Sequence, residues 1–119
     1  MYALVLIPDS VSCSIDMKPR IAQLMRLKTT RGEKVNIIEL MAPIWKDIGY
    51  LMDLDQTGRK VECIEAEHVH KQNGLHICCR ELFKLWLDTP DATWRNLVEL
   101  LVDTEQTQLA KQVKSTLGL

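Results

Sequence analysis

The sequence predicts an all-α fold: a bundle of about six short helices between Asn36 and Gly118. Three observations carry that prediction. Apolar residues recur at three- and four-residue spacings through most of the span. Pro43, Gly58, the KQNG stretch (71–74) and Pro90 divide it at short intervals. Nothing in it shows the alternating period of a half-buried strand. Helices this short are marginal alone in water, so their mutual packing must hold them.

Each element has its own signals. Asn36 followed three residues later by Glu39 has the spacing of a capping box, which satisfies backbone amides at a helix start. Ile37, Ile38, Met41, Ile44, Trp45 and Ile48 then form one helical stripe. Pro43 lies inside it, lacks an N–H and crowds the preceding turn, so the helix bends there or restarts. Leu51, Met52 and Leu54 prolong the stripe until DLDQTG (53–58) ends it. RKVECIEAEHVH (59–70) reads as a short acidic helix with Val61 and Ile64 on one side. In LHICCRELFKLWL (75–87), Cys78, Leu82, Leu85 and Trp86 share a face until Pro90 stops the helix. Asp91 or Thr93 caps the next one, whose stripe is Trp94, Leu97, Val98 and Leu101. Thr104 is expected to cap EQTQLAKQVKSTL (105–117), with Leu109, Val113 and Leu117 inward and Gly118 as the C-cap.

Residues 1–35 read as a basic N-terminal extension, loosely structured or holding a short helix. ALVLI (3–7) is a brief apolar run stopped by Pro8. DMKPRIAQLMRLK (16–28) suits a short helix with Pro19 in its first turn and Ile21, Leu24 and Met25 on one side. Counting along the chain, residues 1–34 hold six Lys/Arg against three Asp/Glu, and residues 35–119 hold nine against thirteen. The formal net charge of -1 therefore hides a basic arm (+3) on an acidic domain (-4). That balance gives no reason to expect a nucleic-acid partner. ALVLI is too short for a signal sequence or a membrane span, so the expected location is cytoplasmic, with Cys13, Cys63, Cys78 and Cys79 reduced.

The order of residues in WKDIGYLMDL (45–54), VECIE (61–65), CCRELFKLWL (78–87), ATWRNL (92–97) and LAK (109–111) resembles a death domain over residues 36–117. The most specific part is the corner in which Trp86-Leu87 closes one helix and Thr93-Trp94 opens the next. The resemblance implies a six-helix antiparallel Greek-key bundle over 36–119. Its core would include Trp45, Ile48, Ile64, Leu82, Trp86, Trp94, Leu97 and Leu109. Met52 stands where many members of that family carry Gly, so the turn after the second helix is expected to differ.

Chemistry is sparse. Cys63, His68, His70, His76, Cys78 and Cys79 are zinc-ligand types, but no C-x-x-C or H-x3-H pair is present. His68 and His70 diverge on a helix, as do Cys78 and Cys79. A Cys/His nucleophilic pair lacks an evident orienting residue, and phosphate loops and dinucleotide-binding glycines are missing. The expectation is a non-enzymatic domain without cofactor, metal or small-molecule substrate. The resemblance implies homotypic association with other death-domain proteins, and with itself, in apoptotic or innate-immune signalling. Candidate contact residues are Asp53, Asp55, Glu62, Glu65 and Glu67 around the second and third helices, and Arg80, Lys84, Lys111 and Lys114 on the fourth and sixth. Two alternatives are an inhibitory stand-alone domain and a membrane-surface module using Lys18, Arg20, Arg26 and Lys28.

Overall fold

A computed structural model describes residues 15–28, 32–55 and 57–117, and the chain is mainly helical. Helix α1 (Ile21–Met25) precedes two short strands, β1 (Leu27–Lys28) and β2 (Lys34–Val35). Then come α2 (Ile37–Met41), a 3-10 turn (Ala42–Ile44) and α3 (Trp45–Met52). The remaining helices are α4 (Arg59–His68), α5 (Gly74–Leu87), α6 (Trp94–Asp103) and α7 (Thr107–Thr116).

Local chemistry explains most boundaries. The Asn36 side chain accepts a hydrogen bond from the Glu39 amide at 3.0 Å, which starts α2. Pro43 sits in the 3-10 turn, and a new helix begins at Trp45, so the stripe restarts. Asp53 closes α3 in a left-handed conformation, with φ of 51°. Of the two candidates for capping α6, Thr93 does so, its hydroxyl accepting from the Asn96 amide at 3.1 Å. Thr104 does not cap α7. Its hydroxyl turns back and donates to the Leu100 carbonyl of α6 at 2.8 Å, while Gln106 precedes α7 with no side-chain cap. The corner is tight, with the Gln106 amide donating to Leu101 at 2.7 Å, so the hydroxyl closes the helix behind it. Gly118 lies outside the described residues.

The longest helix, α5, is the hub, touching α1, α2, the 3-10 turn, α3 and α4. Its buried arc runs through Cys78, Cys79, Leu82, Phe83 and Trp86. Leu85, assigned to the stripe from spacing alone, is 36% exposed because it lies at the edge of that arc. Leu51 is likewise exposed, on the side of α3 away from Trp45, Ile48 and Met52. The expected core otherwise forms: Trp45, Ile48, Ile64, Leu82, Trp86, Trp94, Leu97 and Leu109 are all buried. The rings of Phe83 and Trp86 pack at right angles, with centroids 5.8 Å apart. No polar or charged residue is buried among those described.

The described part of the N-terminal arm packs on the bundle. A short helix is present but shorter than expected: α1 follows Arg20, so Pro19 lies outside its first turn, and the chain is in β1 by Leu27. Leu24 and Leu27 are sealed in the common core, and α1 packs on α2 and α5. Further up the arm, the Ile15 and Met17 carbonyls accept from the Arg95 and Trp94 amides at 2.8 and 3.1 Å. These are two of the first-turn donors that a helix cannot satisfy internally. The Lys18 ammonium donates to the Leu87 carbonyl at the end of α5. The arm thus straddles the corner that carries Trp86 and Trp94.

One glycine fixes the entry to α5. A Cβ added at Gly74 would lie 2.2 Å from the Val69 carbonyl oxygen and 2.7 Å from that of His68. Both are backbone atoms that cannot swing aside. Gly74→Ala is expected to lower unfolding stability by about 1–3 kcal/mol, read from urea denaturation.

Candidate interaction surface

With an apolar interior, the functional groups available are on the surface, and the structure divides the expected contact residues into two sets. Around α4 the acidic residues are partly engaged. The Asp55 carboxylate accepts from the Lys60 amide at 3.1 Å, near the start of α4. Glu65 pairs with Lys46 of α3 at 2.9 Å. Its hydrogen bond, followed by burial acting in the opposite sense, leaves the Lys46 ammonium raised above its ordinary value. Both groups are substantially exposed, so the pair adds little stability. Asp53, Glu62 and Glu67 project into solvent, Glu67 lying 3.8 Å from His68.

On α5, Glu81 gathers the basic residues, with Lys84 at 3.2 Å and the Arg80 Nε at 3.7 Å. The longer separation is a Coulombic contact rather than a hydrogen bond, and that Nε has no hydrogen-bond partner. A groove of about 480 Å³ between α4 and α5 brings Asp55 and Glu67 together with Lys84. Of the candidates, Asp55, Glu67 and Lys84 therefore share one mixed-charge groove, whereas Asp53, Glu62, Glu65 and Arg80 lie outside its lining. Lys111 and Lys114 stand apart on the exposed side of α7, where Lys114 borders a cleft with Ile15 and Arg95.

Sequence reasoning missed a second groove. Between the end of α3 and α6, Leu51 stands 48% exposed beside Asp91, Glu99 and Asp103, over a floor that includes Met52, Trp86 and Leu100. Its signal in the sequence is the acidic series on α6 and its approach, but only packing brings Leu51 alongside it. Nearby, Arg95 is bound to Asp16 at 2.8 Å. That hydrogen bond first, and the charge second, hold the Asp16 carboxyl below its ordinary range and raise Arg95.

The zinc-type residues are dispersed. Cys63 is exposed, Cys78 points its thiol at the Ile64 carbonyl at 3.7 Å, and the Lys71 ammonium donates to His68 Nδ1 at 3.0 Å. Among the described residues no group of three or more His, Cys, Asp or Glu is placed to hold a metal. Burial pushes the Cys79 thiol up to about 12, and burial with Glu65 raises Cys78. Neither is a thiolate at neutral pH. Iodoacetamide on the native chain is expected to modify Cys63 rapidly and to reach Cys78 and Cys79 only in denaturant, as read by peptide mass spectrometry. No described helix is long and apolar enough to cross a membrane.

Comparison with known proteins adds no relative: no family model, curated protein or solved structure matches the chain.

Proposed function

We propose that the chain is a non-enzymatic interaction domain of the death-domain type. In this reading its helices form the Greek-key bundle of that family, and it associates with other death-domain proteins and with copies of itself in intracellular signalling. The observation that carries the reading is the corner between α5 and α6. Trp86 and Trp94 flank it within an interior of apolar side chains, in the order that carries the resemblance, and both are buried. The raised thiols of Cys78 and Cys79 also speak against nucleophilic chemistry in the core.

Magnitudes shape the form of association. One exposed ion pair is worth about 0–1 kcal/mol, too little to hold two subunits. Several acting together in a multi-subunit assembly hold by avidity. Binding between pairs of copies is therefore weak and salt-sensitive, with assembly above a threshold concentration. Sedimentation velocity of the full chain tests this. The sedimentation coefficient is expected to rise with concentration at low salt and to fall back on raising salt. A chain that stays monomeric throughout, and captures no death-domain protein in a binding assay, overturns the reading.

A further inference from the structure

Two surfaces carry opposite charge. One is the ribbon of β1 and β2, whose register sets Lys28 directly opposite Lys34 and Leu27 opposite Val35. Leu27 is buried, so the pleat turns both lysines outward, with Arg26 exposed just before β1. Like charges facing each other across an antiparallel pair disfavour the pairing. Among the described residues none of the three cations forms an ion pair. The other surface is the groove between α3 and α6. It measures about 210 Å³, and its lining holds the carboxylates of Asp91, Glu99 and Asp103 with no lysine or arginine. Arg95, one helical turn before Glu99, is hydrogen-bonded to Asp16, and with Lys114 it borders Glu99 and Asp103 on the side away from this groove.

We propose that these surfaces dock on each other between two copies of the chain. Arg26, Lys28 and Lys34 of one copy lie against Asp91, Glu99 and Asp103 of the next, around Leu51. This rests on the self-association proposed above and assigns its surfaces. Charge complementarity selects the occupant: the arm carries +3, the remainder -4, and the whole chain only -1, so copies meet without strong net repulsion. The exposed Leu51 supplies an apolar contact that ion pairs alone lack. A membrane of anionic lipid would satisfy the cations but would leave the acidic groove unused. Because the two patches differ, the contact is heterologous, and each added copy brings a fresh patch of either kind.

Sedimentation velocity on the full chain at low and high salt tests the assignment with two exposed-surface variants. One is Lys28→Glu with Lys34→Glu; the other is Glu99→Lys with Asp103→Lys. Each is expected to weaken self-association about tenfold or more. An equimolar mixture of the two is expected to associate near the wild-type concentration, because each retains one intact patch and the two reversed patches complement each other. Circular dichroism melting verifies folding; should the groove variant unfold, Asp103→Lys alone replaces it. Variants that assemble like the wild type, or a mixture that does not recover, overturn the assignment while leaving self-association by other surfaces standing. A wild-type chain that never associates overturns both. Binding to phosphatidylserine vesicles that Lys28→Glu with Lys34→Glu abolishes, without self-association, gives the cationic face to a membrane instead.

Discussion

Trp94→Ala is expected to cost about 3–5 kcal/mol of unfolding free energy, enough to leave much of the chain unfolded at 37 °C against a typical total of about 5–15 kcal/mol. Trp94 is fully buried at the first turn of α6, so truncation opens a cavity between helices that are too short to close it by bending. Its indole Nε1 is buried with no hydrogen-bond partner among the described residues. That orphan donor opposes part of what the ring contributes through packing. Trp94→Phe removes the donor along with part of the volume, so it should cost distinctly less than alanine. Urea denaturation followed by circular dichroism separates the two. Equal losses for phenylalanine and alanine would show that ring volume is not what the site requires.

Leu24→Ala is expected to cost about 2–5 kcal/mol, a core-sized loss from a position that precedes residue 36. The side chain is fully buried in the same cluster as Ile37, Ile38 and Met41. Removing residues 1–35 takes away Leu24 and Leu27 together and uncovers the first-turn amides of α6. The 36–119 fragment is therefore expected to show reduced helicity and no cooperative melt, while the full chain melts cooperatively. A fragment that melts as sharply and as high as the full chain would mean the arm contributes nothing to the core.

Much of this architecture could be read from local chemistry. Asn36 and Thr93 cap helices through bonds to residues three positions on, a distance sequence spacing reports directly. Pro43 divides α2 from α3 because of its own ring and missing N–H. Thr104 was misassigned because a hydroxyl between two helices can serve either end, and sequence does not say which. Leu51 and Leu85 were placed inward because periodicity defines a stripe but not the centre or width of the buried arc. The arm was illegible for a different reason. Its bonds reach across 79 residues for Asp16 with Arg95 and 69 for Lys18 with Leu87, beyond any local pattern. The candidate surface is legible as charge and not as arrangement: Glu65 reads as a candidate contact residue, but its tie to Lys46 depends on how α3 meets α4.

The clasp of Ile15 and Met17 on α6 also sets an order of events during synthesis. This segment, made well before α6, must wait, its carbonyls held by water, until Trp94 and Arg95 emerge to receive them. Such late closure over a long span slows a helical protein relative to one with only neighbouring contacts. A nascent chain arrested before Trp94 thus leaves Ile15 and Met17 unmoored, although α1 can already pack on α2 and α5.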